Sequence, residues 1–357
     1  MTLSGRATPL LDLHRDLGAR LVDFAGWEMP LQYEGVIAEH NAVRNSAGVF
    51  DVSHLGKLRV GGGGAAGLQH AVTIDVEALE VGRARYALAL TDDGGCIDDL
   101  FVYRLDAEEW LVVPNAANVE AIAAALAGPG APEPLDVWDR WAILALQGPD
   151  SFDVFERAWP GTGVAASKLH TFRRLDLDGA ETIVARTGYT GERGFELYVP
   201  AEAASAAFQK LLENGARPAG LGARDTLRLE MGYALYGHEL TTEVNPLESG
   251  LGWAISWDTD FRGRAALAAI KDRGVERKMF GVRCTGKGVP REGCLVHGEG
   301  RVVGTLTSGN FSPTLGTGIG LARGDVATLP AIGDRVEIET RGRRIEGDIV
   351  KPPFIER

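Results

Sequence analysis

The sequence predicts an α+β region followed by an all-β C-terminal domain. Up to Arg273, short strand-like runs alternate with helical ones. From Met279 onward, short alternating segments are punctuated by glycine, proline and asparagine, and no convincing helix remains. With 357 residues, 45% hydrophobic and 24% charged, the chain exceeds one small core, so two or three folding units are expected. The closing segment, 278–357, reads as a barrel or a sandwich, because many short strands with turn signals require a closed or double-layered β architecture. It follows a region 1–272 in which no internal repeat or low-complexity linker is visible.

Each element has a local reason. A short helix is expected near 10–17, then an aromatic loop at 23–30, then a helix around 37–45 that Gly48 closes. Asp51-Val52-Ser53-His54 leads into strands and short helices reaching about residue 130. Within that region 110–113 reads as a strand, and Asn115 can cap the alanine-rich helix 116–126 before Gly128-Pro129-Gly130 breaks the chain. The mixed pattern resumes with strands near 142–146, 182–185 and 195–199 and helices near 201–214 and 223–233.

Composition excludes several functions. The formal charge of −12 disfavours nonspecific nucleic-acid binding, which needs a basic surface. The basic run Arg341-Gly342-Arg343-Arg344 sits between strand-like runs and reads as a solvated hairpin turn. No stretch approaches the roughly 18 unbroken apolar residues of a membrane span, and the N-terminal residues lack the apolar core of a secretory signal. Cys96, Cys284 and Cys294 have neither the number nor the spacing of a disulfide framework or zinc site, so a reducing cytoplasm is expected. Gly61–Gly64 lacks the spacing and the Lys-Ser/Thr ending of a phosphate loop.

The most informative stretch is Arg-Thr-Gly-Tyr-Thr-Gly-Glu-Arg-Gly-Phe-Glu at 186–196. Gly188, Gly191 and Gly194 permit special backbone angles and close ligand approach, and the loop delivers Glu196 into a strand, 195–199, that alternates as if buried on one face. Asp98 and Asp99 occupy another strand, where they face opposite sides. Ile97 and Phe101 flank one side and Leu100 and Val102 the other, so periodicity alone does not choose between them. Arg224 and Arg228 are one helical turn apart; Asp225 can reach Arg228, which leaves Arg224 for a carboxylate elsewhere or for a ligand. Tyr86, Tyr189 and Tyr236 are aromatics with a hydroxyl to satisfy, and His54 reads as a core or hydrogen-bonded histidine, with no metal-ligand spacing around it.

Together these segments resemble the T-protein (aminomethyltransferase) family of the glycine cleavage system. The resemblance runs end to end: Asp-Phe-Ala-Gly-Trp-Glu-Met-Pro at 23–30, Gly-Val-Phe-Asp-Val-Ser-His at 48–54, Ile-Asp-Asp-Leu at 97–100, Gln-Gly-Pro at 147–149, Thr-Gly-Tyr-Thr-Gly-Glu at 187–192, Gly-Leu-Gly-Ala-Arg-Asp-Thr-Leu-Arg-Leu-Glu at 220–230 and Ser-Gly-Asn-Phe-Ser-Pro-Thr-Leu-Gly at 308–316. It implies a cloverleaf of subdomains around a central folate site, roughly 1–50 with 131–272 and 51–130, followed by a C-terminal β-barrel at 278–357. It also implies transfer of a one-carbon unit from the lipoyl arm of H protein to tetrahydrofolate, with no metal, flavin or nicotinamide and with neither nucleic acid nor membrane as a partner.

Residue by residue, the resemblance places Asp99 as the catalytic carboxylate and Glu196 as the group that receives the pteridine N–H donors. Arg224 stands near that carboxylate, and Tyr86, Val113, Asn115, Tyr189, Leu55 and Tyr236 fall at folate-pocket positions. Leu55 stands where the family often has methionine; Pro114 and the wording Tyr236-Gly237-His238-Glu239-Leu240 also depart from the usual pattern. Two other functions stay open on this reading: a tetrahydrofolate-dependent demethylase of a small sulfonium or N-methyl compound, and a noncatalytic folate-binding assembly factor. The latter group carries a Lys-Gly-Cys-Tyr-x-Gly-Gln-Glu signature, whereas this chain has Glu-Val-Asn-Pro-Leu-Glu-Ser-Gly at 243–250.

Overall fold

Three apolar runs of Trp141–Gln147, Gly194–Pro200 and Gly48–Asp51 lie side by side in the middle of a six-stranded sheet. The computed structural model describes residues 5–127, 135–340 and 342–357. Among these residues the sheet runs in the order Phe172–Leu177, Ala180–Ala185, Gly194–Pro200, Trp141–Gln147, Gly48–Asp51, Arg217–Pro218. Helices Ser151–Ala158 and Ala204–Glu213 supply Phe155, Phe208 and Leu211 to one cluster with Leu144, Leu146, Phe195 and Leu197. The strand 195–199 is therefore buried on both faces, not on one: the helices cover the face of Phe195, Leu197 and Val199, and Tyr103 packs against Tyr198 on the other.

Two local expectations are corrected near the N-terminus. Residues 23–30 form no open loop: Arg20–Phe24 and Trp27–Gln32 make an antiparallel hairpin. Ala25 and Gly26 turn it with φ of 52° and 79°, as a two-residue primed turn requires. The helix Val36–Asn45 ends at Ser46, and Gly48 is the first residue of the next strand. A Cβ on Gly48 would fall 2.4 Å from a Val43 methyl, so the glycine serves close packing of helix on strand.

A five-stranded sheet runs Ala84–Leu90, Cys96–Asp106, Glu109–Val113, Leu58–Gly61, Leu135–Asp136. The segment 116–126 begins as a single 3₁₀ turn, Ala116–Asn118, before the helix Val119–Leu126. The helices expected at 201–214 and 223–233 are Ala204–Glu213, entered through another 3₁₀ turn, and Leu221–Glu230. The helix Arg264–Arg273 was not anticipated.

The C-terminal strands Arg277–Cys284, Thr317–Asp325, Arg301–Ser312, Leu295–Gly298, Arg335–Thr340 and Arg343–Val350 close into a barrel around Phe280, Val282, Val296, Leu306, Ile338 and Ile349. Closure decides between barrel and sandwich, and the chain is mixed α+β with a closed β-barrel at its end. Thr340 pairs with Arg343 and Glu339 with Arg344, so Arg343 and Arg344 of the basic run open the last strand and Gly342 lies in the turn before it; Arg341 lies outside the described residues. By contacts the chain divides into two compact units, Met1–Ala87 with Asp99–Arg224, and Leu88–Asp98 with Asp225–Arg357. No helix among the described residues is long and apolar enough to cross a membrane.

Candidate active site

The side chains that gather chemistry belong to the unit formed by Met1–Ala87 and Asp99–Arg224. Glu196 is delivered by the central strand at a position whose cross-strand neighbours are Ala145 and Ala185. Two alanines beside a carboxylate keep the room around it that larger side chains would fill. Glu196 is nonetheless buried. One of its oxygens receives the Thr187 hydroxyl, Tyr103 lies within 3.2 Å of that hydroxyl, and Tyr198 donates to Tyr103 over 2.8 Å. Burial pushes the Glu196 pKa up, against the downward pull of Thr187, Arg224 and Tyr103.

Arg224 faces this carboxylate from the helix Leu221–Glu230. Its guanidinium carbon stands 4.8 Å from the centre of the Tyr189 ring, a cation–π distance. Its Nη1 is shut off from solvent without a hydrogen-bond partner among the described residues. A buried donor left unmatched is costly in a finished core and marks a place for a ligand acceptor. Burial lowers the Arg224 pKa, and Glu196 and Tyr189 oppose the shift.

The glycines of this loop serve its turn and its packing. Gly191 has φ of +80° and turns the chain. A Cβ on Gly188 would fall 2.1 Å from the Gln147 amide, and one on Gly194 would fall 2.2 Å from the Leu146 carbonyl oxygen. Both are therefore required by the protein's own packing. Gln147 donates to the Thr187 carbonyl over 3.2 Å and accepts from the Thr190 hydroxyl over 2.8 Å. Arg44 donates to the Thr190 carbonyl over 2.7 Å and pairs with Glu192. The Gln-Gly-Pro segment is thus what fixes the loop in front of Glu196.

Asp99 and Asp98 are separated by strand geometry. Asp98 points into the core and is fully buried, whereas Asp99 is half-buried on the face that also carries Phe101 and Tyr103. Tyr86 donates its hydroxyl to Asp99 over 2.9 Å, and Asn115 donates Nδ2 to both the carboxylate and the backbone carbonyl of Asp99 at 3.0 Å. Asn115 makes no side-chain cap for the turn that follows it, so its amide serves Asp99. Tyr103, four residues and about 13 Å further along the same strand face, reaches the Thr187–Glu196 group. One strand face therefore joins the two carboxylates. Val113 is buried opposite Phe101 in the neighbouring strand, and Leu55 is half-buried in the turn after Asp51.

Tyr236 belongs to the other unit, where it is half-buried and bridges to Leu240. His54 is buried, with Nδ1 lacking a hydrogen-bond partner among the described residues and with its ring edge-on to Phe24 at 5.4 Å. Burial, followed by the Arg224 charge and with a smaller push from Lys57, lowers its pKa to about 3 against the pull of Asp51, so the imidazole is neutral. Sequence reasoning missed Thr187, Tyr103 and Tyr198; only Thr187 lay inside a motif that could have signalled it. It also missed Asp51, which accepts from Thr8 over 2.6 Å, from the Ser53 N–H over 2.8 Å and contacts His14 at 2.9 Å. Burial alone would raise the Asp51 pKa, but these partners hold it down at about 2.

Known proteins match this arrangement along its length. The GCVT N-terminal domain family model covers residues 10–259, and that of the glycine cleavage T-protein C-terminal barrel domain covers 277–356. A curated aminomethyltransferase of Halothermothrix orenii is 44% identical over 98% of this chain and 100% of its own length, and one of Symbiobacterium thermophilum is 46% identical over 99% and 98%. The crystal structure of glycine cleavage system aminomethyltransferase T from Bartonella henselae superposes with a TM-score of 0.91 at 32% identity, covering 99% of this chain and 98% of the other. Matched in both domains, at this identity and over this length, the chain belongs to the glycine cleavage T-protein family.

Proposed function

We propose that the chain is the aminomethyltransferase of a glycine cleavage system, moving the one-carbon unit of aminomethyl-dihydrolipoyl H protein to tetrahydrofolate. Ammonia and 5,10-methylenetetrahydrofolate are the products. The observation that carries the reading is the pair of carboxylates, Asp99 and Glu196, joined by the strand face of Phe101 and Tyr103. A 2-amino-4-oxopteridine offers adjacent N–H donors, which an ionised carboxylate accepts side by side. Glu196 receives them, and the unmatched Nη1 of Arg224 donates to the neighbouring oxo group. Tyr189, held against Arg224, closes that end; Val113 and Leu55 contribute apolar walls.

Bound tetrahydrofolate supplies two nucleophilic nitrogens, N5 and N10, which form bonds to the carbon as its bonds to ammonia and then to sulfur break. The two protons released from these nitrogens go to ammonia and to the thiolate. Asp99, fixed by Tyr86 and Asn115, stands at the reacting end, where it offsets positive charge developing at the carbon and relays one of these two protons to its acceptor. The three free cysteines suit a reducing compartment, and a cytoplasmic setting is proposed.

The test combines purified protein, tetrahydrofolate and H protein carrying the aminomethyl-lipoyl arm. Ammonia and 5,10-methylenetetrahydrofolate should form without added metal, flavin or nicotinamide, and omission of H protein should leave the mixture nearly inactive. Asp99→Asn should retain tetrahydrofolate binding while its single-turnover rate falls by about 100-fold or more. Formation of methyl-tetrahydrofolate from a small methyl donor, with ammonia release indifferent to H protein, would transfer the assignment to the demethylase.

A further inference from the structure

Between the strands Gly48–Asp51 and Leu58–Gly61 the chain crosses, without helix or strand, through Val52-Ser53-His54-Leu55-Gly56-Lys57. This crossing sets His54 beside the charge of Arg224. Irregular backbone in a buried place needs every polar group accounted for, and here it is tied at several points. The Ser53 N–H reaches Asp51 over 2.8 Å, the Ser53 hydroxyl accepts from the Ile143 N–H over 3.0 Å, and the Gly56 N–H reaches the Pro114 carbonyl over 2.9 Å.

Lys57 is the unusual member. Its side chain is fully buried, a costly place for an ammonium group unless its donors are met. The Nζ donates to the carbonyls of Ser53 at 2.8 Å, Leu55 at 2.9 Å and Trp138 at 3.4 Å. Backbone carbonyls of this kind are the acceptors that a lysine's N–H donors need. The two shortest bonds go to the residues on either side of His54, so the ammonium fixes both flanking backbone segments. An apolar side chain of equal length would pack at lower desolvation cost; what it would lack is this grip on the backbone.

We infer that Lys57 is a positioning residue of the folate pocket, its buried ammonium holding the Ser53 and Leu55 carbonyls so that Leu55 keeps its place in the apolar wall of that pocket. The inference rests on the folate reading of the site. Released from Lys57, the turn would let the Leu55 backbone shift and its side chain leave the pocket wall.

The test is Lys57→Met, which keeps length and removes the donors, compared with Leu211→Ala in the core cluster on the helix-covered side of the six-stranded sheet. Calorimetry gives tetrahydrofolate affinity, thermal unfolding gives stability, and steady-state assays give KM for tetrahydrofolate and for loaded H protein. Lys57→Met should weaken tetrahydrofolate binding and raise its KM by about tenfold or more, with kcat at saturating folate and KM for H protein within about threefold of wild type. Leu211→Ala should lower stability and leave folate affinity unchanged. Should Lys57→Met not fold, Lys57→Leu, which also lacks the donors, is judged by the same criteria. Folate affinity within about twofold of wild type in either folded variant, or an equal loss in Leu211→Ala, overturns the inference. Failure of the wild-type protein to bind tetrahydrofolate would instead strike the folate reading itself.

Discussion

At Glu196 the fold and the ligand make opposite demands on one carboxyl group. Burial favours its neutral form, while reception of two pteridine N–H donors requires the ionised one. Raised folded-state pKa means that ionisation is disfavoured as pH falls toward that value, so tetrahydrofolate affinity should decline on acidification from neutrality through it. Free of ligand, the same shift makes the contribution of Glu196 to stability largest below the ordinary glutamate range and smaller as pH rises through the raised value. Glu196→Ala should weaken tetrahydrofolate binding at neutral pH by about 1–3 kcal/mol and flatten the acid limb of the affinity profile. Calorimetry across a pH series checks both; unchanged affinity in a folded variant would remove Glu196 from the pocket. The residue's identity was legible in the sequence, since the glycine-punctuated loop announces a carboxylate entering a strand. Its environment was not, because Ala145 and Ala185, which keep space beside it, become its neighbours only through strand pairing.

Among the elements, long apolar runs were read correctly and sharp turns were not. Trp141–Gln147 and Gly194–Pro200 fall within two residues of their expected bounds because continuous hydrophobicity leaves little else for a strand to be. The hairpin at Ala25-Gly26 escaped because its turn begins with alanine at positive φ, a choice that local propensity disfavours and the flanking pairs impose. The same limit applies to Asp98 and Asp99: both faces of their strand are apolar in sequence, and only the partners of Asp99, Tyr86 from the preceding strand and Asn115 after the next, tell them apart. Gly194 was read as room for a ligand, but its missing Cβ makes room for the Leu146 carbonyl across the ladder. Gly194→Ala should therefore push apart the Gln147–Gly194 pair at the head of the central strands. A loss of about 1–3 kcal/mol is expected, together with weaker folate binding through Glu196 two residues on. Denaturant unfolding measures the first; a midpoint equal to wild type would mean that the ladder absorbs the methyl group.

At the scale of the molecule, sequence order and structural order diverge. The unit that contains the barrel also takes in Leu88–Asp98 and the stretch from Asp225 onward, although texture alone sets the barrel apart after residue 274. Buried polar contacts within that unit explain why. Glu230, fully buried at the end of its helix, accepts from the hydroxyls of Ser312 and Thr314 at 2.5 and 2.9 Å and from the Thr314 N–H at 3.2 Å. Arg228 pairs with buried Glu239 at 3.1 Å and donates to Ser308 at 2.9 Å; Glu239 also accepts from Thr307. The acceptors and donors on one side of this network precede residue 274, and those on the other side belong to a barrel strand and the turn that follows it. The barrel has its own closed hydrogen bonding and its own apolar core, whereas without it Glu230 loses three hydrogen bonds and Leu229 loses its packing against Ile319 and Leu321, together a loss of several kcal/mol. A fragment of residues 277–357 should therefore show a cooperative β-type thermal transition by circular dichroism. A chain ending at Gly274 should aggregate or unfold without a sharp transition, even though the folate-site side chains, Asp99, Glu196 and Arg224, are all still present in it. Cooperative unfolding of that shortened chain at the full-length temperature would show that the Glu230 and Arg228 contacts contribute little, and that the barrel is an appendage to the unit.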